Sequence, residues 1–212
     1  MESKKTVKEK HPVVVVERDW KEYVGECLLI VFSVALALGL TEYFTNLHEK
    51  NKTGEILHQL KEELISNKQD AAEQYAYHLQ VFKLIDSAKN NPAFAKKFLD
   101  SGKIHFNIIM PQGAILHDLK DVAWQEAKQY NVFSRINFDT YSKLASVYSS
   151  QQRVLNLEPS LEKILISYDS RKKDNLQVTL TLIHDALFGW VVQRTPELLQ
   201  KYQQAIDELK DY

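Results

Sequence analysis

The stretch Cys27–Thr41, CLLIVFSVALALGLT, carries no charged residue, and it constrains what this chain can become more than any other segment. As a helix it rises only about 22 Å, short of the ~30 Å hydrocarbon core of a bilayer. Its flanks supply the missing length. Trp20 and Tyr23 precede it and Tyr43 and Phe44 follow it, where an aromatic belt would sit. From Trp20 to Phe44 a helix rises about 36 Å, enough to reach both interfaces. Two rival readings remain. A core helix apolar on every side needs a larger protein around it. A signal peptide would find a nominal cleavage site at Ala35-Leu36-Ala37, but the region before it is long and mixed in charge, and cleavage there would split a segment that continues apolar. The expected division is a tail over 1–19, a transmembrane helix over 20–44 and a helical exported domain over 45–212.

Lys/Arg asymmetry sets the expected orientation. Lys4, Lys5, Lys8, Lys10, Arg18 and Lys21 lie before the run, whereas Glu42–Leu60 holds only Lys50 and Lys52. The N-terminus is therefore expected in the cytoplasm and the bulk of the chain on the far side of an inner membrane. Within the tail, Val13–Val16 reads as a short extended piece. Glu26 falls about one turn inside the aromatic boundary, so it must snorkel, pair or protonate; it serves either as a polar contact to a partner helix or as an interfacial carboxylate at a helix start. The spacings Ser33–Ala37 and Ala35–Gly39 allow close approach of another helix.

Beyond the membrane the expected fold class is all-α. Only 6 Gly and 5 Pro occur, too few for a many-stranded β fold. Leu57, Leu60, Leu64, Ala71, Tyr75, His78, Phe82 and Ile85 recur at steps of three, four and seven, one stripe of an amphipathic helix. That helix is continuous with the membrane segment or broken once near Asn51–Gly54, and it runs to about Ser87. The stripe either mediates self-association or packs on later helices of the same chain. Asn91-Pro92 reads as an N-cap with proline at the first helical position, and Gly102 as the stop of that short helix. Lys103–Met110 partly alternates, but a lone strand has nothing to pair with, so it is expected to be a packed connector. Asp118 and Asp121 suggest an acidic helix start before a face of Leu119, Val122, Ala123, Trp124 and Ala127. A further helix carries Tyr141, Leu144, Val147 and Tyr148, and Leu157-Glu158-Pro159 breaks it. Ser170–Asn175 reads as a polar loop, Gln177–Val192 as an apolar-rich helix, and Thr195-Pro196 as another cap-plus-proline start.

The stretch Tyr23–Leu40, with Gly25-Glu26 just before its aliphatic run, leads into a charged helix carrying Leu60-Lys61-Glu62-Glu63-Leu64. Ala123-Trp124-Gln125-Glu126-Ala127 follows, then Asn137-Phe138, Leu144 and Tyr148. Together these resemble a group of uncharacterised bacterial single-pass membrane proteins that share a glycine–glutamate pair before an apolar segment and an alanine–tryptophan block downstream. The resemblance covers about residues 20–70 and 115–155. Cys27 and Thr41-Glu42 depart from the bulky apolar and asparagine–tryptophan residues common in the group. It implies a single-pass inner-membrane topology with an exported helical domain, and it implies no reaction.

No sequence motif identifies a catalytic site, a metal site or a cofactor, so none of these is expected. Ser160-x-x-Lys163 and Lys52-Thr53-Gly54 match two penicillin-binding elements, but their order is reversed and the third is missing. Glu55-x-x-His58 has the spacing of a di-metal bundle ligand pair, with Glu62 four residues on, yet no second pair accompanies it. His184-Asp185 and His117-Asp118 are neighbours whose side chains should diverge on a helix. Cys27 is the one cysteine, which excludes a disulfide framework. With 27 Lys+Arg against 28 Asp+Glu, no basic surplus marks a nucleic-acid binder.

Trp124 and Tyr148 are the candidate packing or partner anchors, since both residue types are frequent at interface centres and in cores. The leading expectation is a non-enzymatic, membrane-anchored helical interaction module, with lipid and a protein partner or a second copy as its contacts. An envelope enzyme or ligand sensor with a site formed between helices is the alternative.

Overall fold

The computed structural model describes residues 20–113 and 118–211. The tail over 1–19, its Val13–Val16 piece, and His117 lie outside the described residues. The chain divides into two units that meet between Lys50 and Asn51.

One α-helix, α1, runs from Trp20 to Asn90 and passes through Asn51–Gly54 without a break. In the first unit it presents Leu28, Leu29, Ile30, Val31, Phe32, Leu36, Leu38 and Leu40 on all sides, every one exposed. It is long and apolar enough to cross a membrane. The Ser33 hydroxyl donates to the Leu29 carbonyl at 2.7 Å, and the Thr41 hydroxyl to that of Ala37 at 2.8 Å. These polar groups are thus satisfied by the helix itself, as a hydrocarbon environment requires.

The second unit is all-α apart from one two-stranded hairpin among the described residues. Here α1 buries Ile56, Leu57, Leu60, Leu64, Ala71, Val81, Ile85 and Ala88 in one hydrophobic core. The stripe read from the sequence therefore faces later helices of its own chain. Asn91 caps α2 (Pro92–Ala95), its Oδ1 accepting from the Phe94 amide at 3.1 Å. Gly102 does not end that helix. With Ser101 (φ 48°) and Gly102 (φ 77°) both left-handed, it forms the two-residue turn joining β1 (Leu99–Asp100) to β2 (Lys103–Ile104), a geometry that glycine makes cheap. Lys103–Met110 is thus more than a connector: its strand partner is the pair of residues just before the turn, and Phe106–Ile109 forms the single-turn helix α3.

The remaining helices are α4 (Val122–Gln129), α5 (Phe138–Leu155), α6 (Glu158–Ile166), α7 (Leu176–Leu187) and α8 (Thr195–Glu208). Asn137 caps α5 through the Thr140 amide at 2.7 Å. Pro159 in the first turn of α6 marks the break after α5. Thr195-Pro196 opens α8, with Pro196 in its first turn, but Arg194 takes the N-cap position and the chain reaches it without a break. A π-helical segment, Phe188–Arg194, joins α7 to α8, and the Thr195 hydroxyl turns back to the Trp190 carbonyl at 3.1 Å. Proline has no N–H to donate, and the wider turn accommodates that loss.

The largest fully buried side chains are Trp190 and Tyr202; the Trp190 indole packs 4.6 Å from the His78 ring. Helix α5 packs along α8, and their seam is closed by Thr140 and Lys143 of α5, which bond the Glu208 carboxylate at 2.7 and 2.6 Å. Contacts to Asp139 and Glu208 push the Lys143 ammonium up to about 12, and the same lysine, followed by Thr140, holds the Glu208 carboxyl below its ordinary range.

Candidate functional site: the Trp124–Tyr148 surface

Trp124 and Tyr148, far apart in sequence, meet face to face. Their rings stack at 4.7 Å and 15°. Tyr141, seven residues before Tyr148 and so on the same face of α5, lies parallel to the indole at 6.4 Å and 14°. Phe133 packs against the indole at 4.6 Å, and the Lys128 ammonium stands 5.6 Å from the indole centroid. Such contacts contribute roughly 0.5–1.5 kcal/mol each beyond area burial.

The two anchors are not equivalent. Tyr148 is 6% exposed and Trp124 is half-buried. Tyr148 is therefore a core residue that positions the tryptophan, and Trp124 is where this slab meets solvent. Phe138, 79% exposed, extends the slab 6.4 Å from Tyr141, and Val122 at the start of α4 is 70% exposed. The sequence assigned Val122 to the packed face; the N-terminal residue of α4 instead turns outward, and Ala123 and Ala127 take the buried positions.

The slab rests on α1 through a buried polar network. The Tyr148 hydroxyl donates to Glu63 Oε1 at 2.6 Å, and the Ala123 amide donates to Glu63 Oε2 at 2.8 Å. Glu63 thus caps the start of α4 from another helix and adds favourable charge at its N-terminus. Asp121, at the N-cap position, makes no capping bond and accepts from Gln125 instead, at 2.9 Å. One turn past Glu63, Asn67 accepts from the Lys120 amide at 2.8 Å and donates to the Lys120 carbonyl at 2.7 Å. Gln151 donates to the same carbonyl at 3.0 Å and accepts from the Tyr202 hydroxyl at 2.7 Å. Burial, followed by the bond to Glu63, pushes the Tyr148 phenol far above its ordinary range. Burial also raises that of Tyr202. Both are neutral donors at every physiological pH.

Asn67 and Gln151 were missed in the sequence, although a signal was present. Asn67 stands three after Leu64 and four before Ala71, and Gln151 four after Val147 and three before Val154, so both occupy stripe positions. The other sequence candidates, Gly25 and Glu26, belong to the first unit. Gly25 and Glu26 lie on the exposed surface of α1, and a Cβ added at Gly25 would meet nothing within 4 Å.

His184 and Asp185 do not diverge. Nδ1 of His184 lies 2.9 Å from Asp185 Oδ1, and Nε2 lies 3.3 Å from Asp86 Oδ1 on α1. Lys89 Nζ stands 3.3 Å from Nδ1. Asp86 and Lys89 of α1 draw the two side chains together, with His184 half-buried and Asp185 exposed, and His184, first, with Lys89 holds the Asp185 carboxyl below its ordinary range. Both ring nitrogens of His184 thus lie within reach of charged side chains of the same cluster. Among the described residues no group of three or more His, Cys, Asp or Glu side chains is arranged to hold a metal ion. Glu55, His58 and Glu62 are exposed on α1. No family model matches the chain, and no similar curated protein or solved structure was found.

Proposed function

We propose that this chain is a single-pass membrane protein whose helical domain serves as an interaction module for a protein partner or a second copy of itself. One observation carries the reading: α1 leaves an uncharged apolar segment wholly exposed, while the residues after it close a core of their own. Exposed apolar surface of that extent marks a lipid or protein contact. The Lys/Arg excess before the segment supports a cytoplasmic N-terminus and an exported domain, and the resemblance to bacterial single-pass proteins supports an inner membrane. Lipid is then the partner of residues 20–44. In the domain, the partner-facing surface is the edge of the slab at Trp124, Tyr141 and Phe138, because it joins exposed aromatic side chains to a rigid aromatic base.

Photocrosslinking in native membranes tests this. A photoreactive residue at Tyr141 or Phe138 gives a discrete adduct of reproducible mass, the same residue at the exposed Lys163 gives none, and Trp124→Ala abolishes the adduct. Only monomer from all three positions contradicts the reading.

A further inference from the structure

The β1–β2 hairpin and the segment 169–175 enclose a cleft of about 540 Å³ lined by Lys103, Tyr168, Arg171, Lys172, Lys173 and Asp174. Its framework is fixed without using most of its charge. Lys103 and Lys172 form a backbone bridge. The Arg171 guanidinium donates to the Leu165 carbonyl through Nε and one terminal nitrogen, at 3.4 and 3.2 Å, and lies 5.8 Å from the Phe106 centroid. The Ser170 carbonyl accepts from the Thr179 hydroxyl at 3.0 Å, and the Asp169 carbonyl from the Asn175 amide at 2.9 Å. Lys172 pairs with Asp169 over the Tyr168 ring. The Lys103 and Lys173 side chains take part in no hydrogen bond or ion pair among the described residues.

Four cations thus share one concavity with the single carboxylate of Asp174, Asp169 lying against Lys172, in a chain whose formal net charge is −1. Gathering like charges on a pinned framework costs Coulomb energy that an anion would recover. A second hollow of about 270 Å³, which also includes Lys103 and Arg171, adds His105 and Asn107 as donors. Arg171 retains a terminal nitrogen for an oxyanion, and lysine binds phosphate as a point charge.

We propose that this cleft binds a phosphate-bearing anion, held by Lys103, Arg171 and Lys173. The full-length protein in phosphatidylcholine nanodiscs is titrated with inorganic triphosphate by calorimetry. Separately, it is incubated with vesicles containing phosphatidylglycerol or phosphatidylcholine alone. Saturable triphosphate binding identifies a soluble phosphate ligand, and selective capture by phosphatidylglycerol identifies a lipid headgroup; either supports the proposal. The Lys103→Ala/Lys173→Ala variant keeps the wild-type melting temperature, because neither side chain holds the fold together, and binds at least about tenfold more weakly. The proposal is overturned if neither probe binds, or if wild type and variant bind equally.

Discussion

Within α1 the same backbone geometry carries two different apolar patterns. From Leu28 to Leu40 the apolar side chains cover the whole circumference and all are exposed. From Ile56 to Ala88 they form a stripe, and the stripe is buried. The polar groups follow the same division. Ser33 and Thr41 turn back onto their own helix, whereas Glu63 and Asn67 reach across to Ala123 and Lys120. A helix apolar all round specifies an environment, and a helix apolar on one side specifies a neighbour. The first half therefore tolerates exchange of one apolar residue for another, and the second half does not.

Truncation contrasts the halves most sharply. Leu60→Ala is expected to lower domain stability by about 2–5 kcal/mol, read as the denaturant midpoint in detergent, while Leu36→Ala leaves that midpoint unchanged. Equal losses would erase the distinction. The next effect is polar. Asn67→Ala leaves the Lys120 amide without its partner and the Lys120 carbonyl with Gln151 alone, at a cost of about 1–3 kcal/mol, whereas Ser33→Ala, whose hydroxyl bonds only its own helix, shifts stability by less than about 0.5 kcal/mol.

Alkaline pH gives a graded version of the same contrast. Tyr148 and Tyr202 keep their protons to higher pH folded than unfolded. The stability they contribute is complete below about pH 10 and is lost as pH rises beyond it, by up to about 1.4 kcal/mol per unit for each. Tyr148→Phe should remove one tyrosine's share of that slope and cost about 1–2 kcal/mol at neutral pH through Glu63. A slope unchanged in the variant would show that Tyr148 ionises freely in the folded domain. The smallest expected effect is at the α1–α7 ion cluster: His184→Gln changes stability by about 1 kcal/mol or less, and a loss beyond about 3 kcal/mol would mark this cluster as part of the core.

Much of this was legible in the sequence because periodicity and punctuation are local. The stripe from Leu57 to Ile85, the Asn91-Pro92 start and the break at Pro159 each follow from residues within a turn or two of one another. What escaped depends on distant partners. Asp121 looks like a cap until Glu63 displaces it from another helix. Thr195-Pro196 does begin α8, but its capping role is lost because the π-helical segment runs straight into it and the Thr195 hydroxyl turns back to Trp190. Lys103–Ile104 lacked a strand partner because Leu99–Asp100 is too short to show alternation. Trp124 and Tyr148 were singled out by residue type and helical position, but their stacking, and the division into a buried positioner and a solvent-facing edge, required the third dimension.

The central claim is that residues 28–40 are surrounded by lipid on every side. A single-cysteine scan through this stretch, in a Cys27→Ser background and native membranes, tests it with a water-soluble maleimide. The account predicts that every position from Leu29 to Gly39 stays unlabelled until denaturing detergent is added, while cysteines placed at Lys21 and His48 react readily. Labelling that recurs every three to four residues, or throughout the segment, would contradict it, because one face or the whole helix would then be in water.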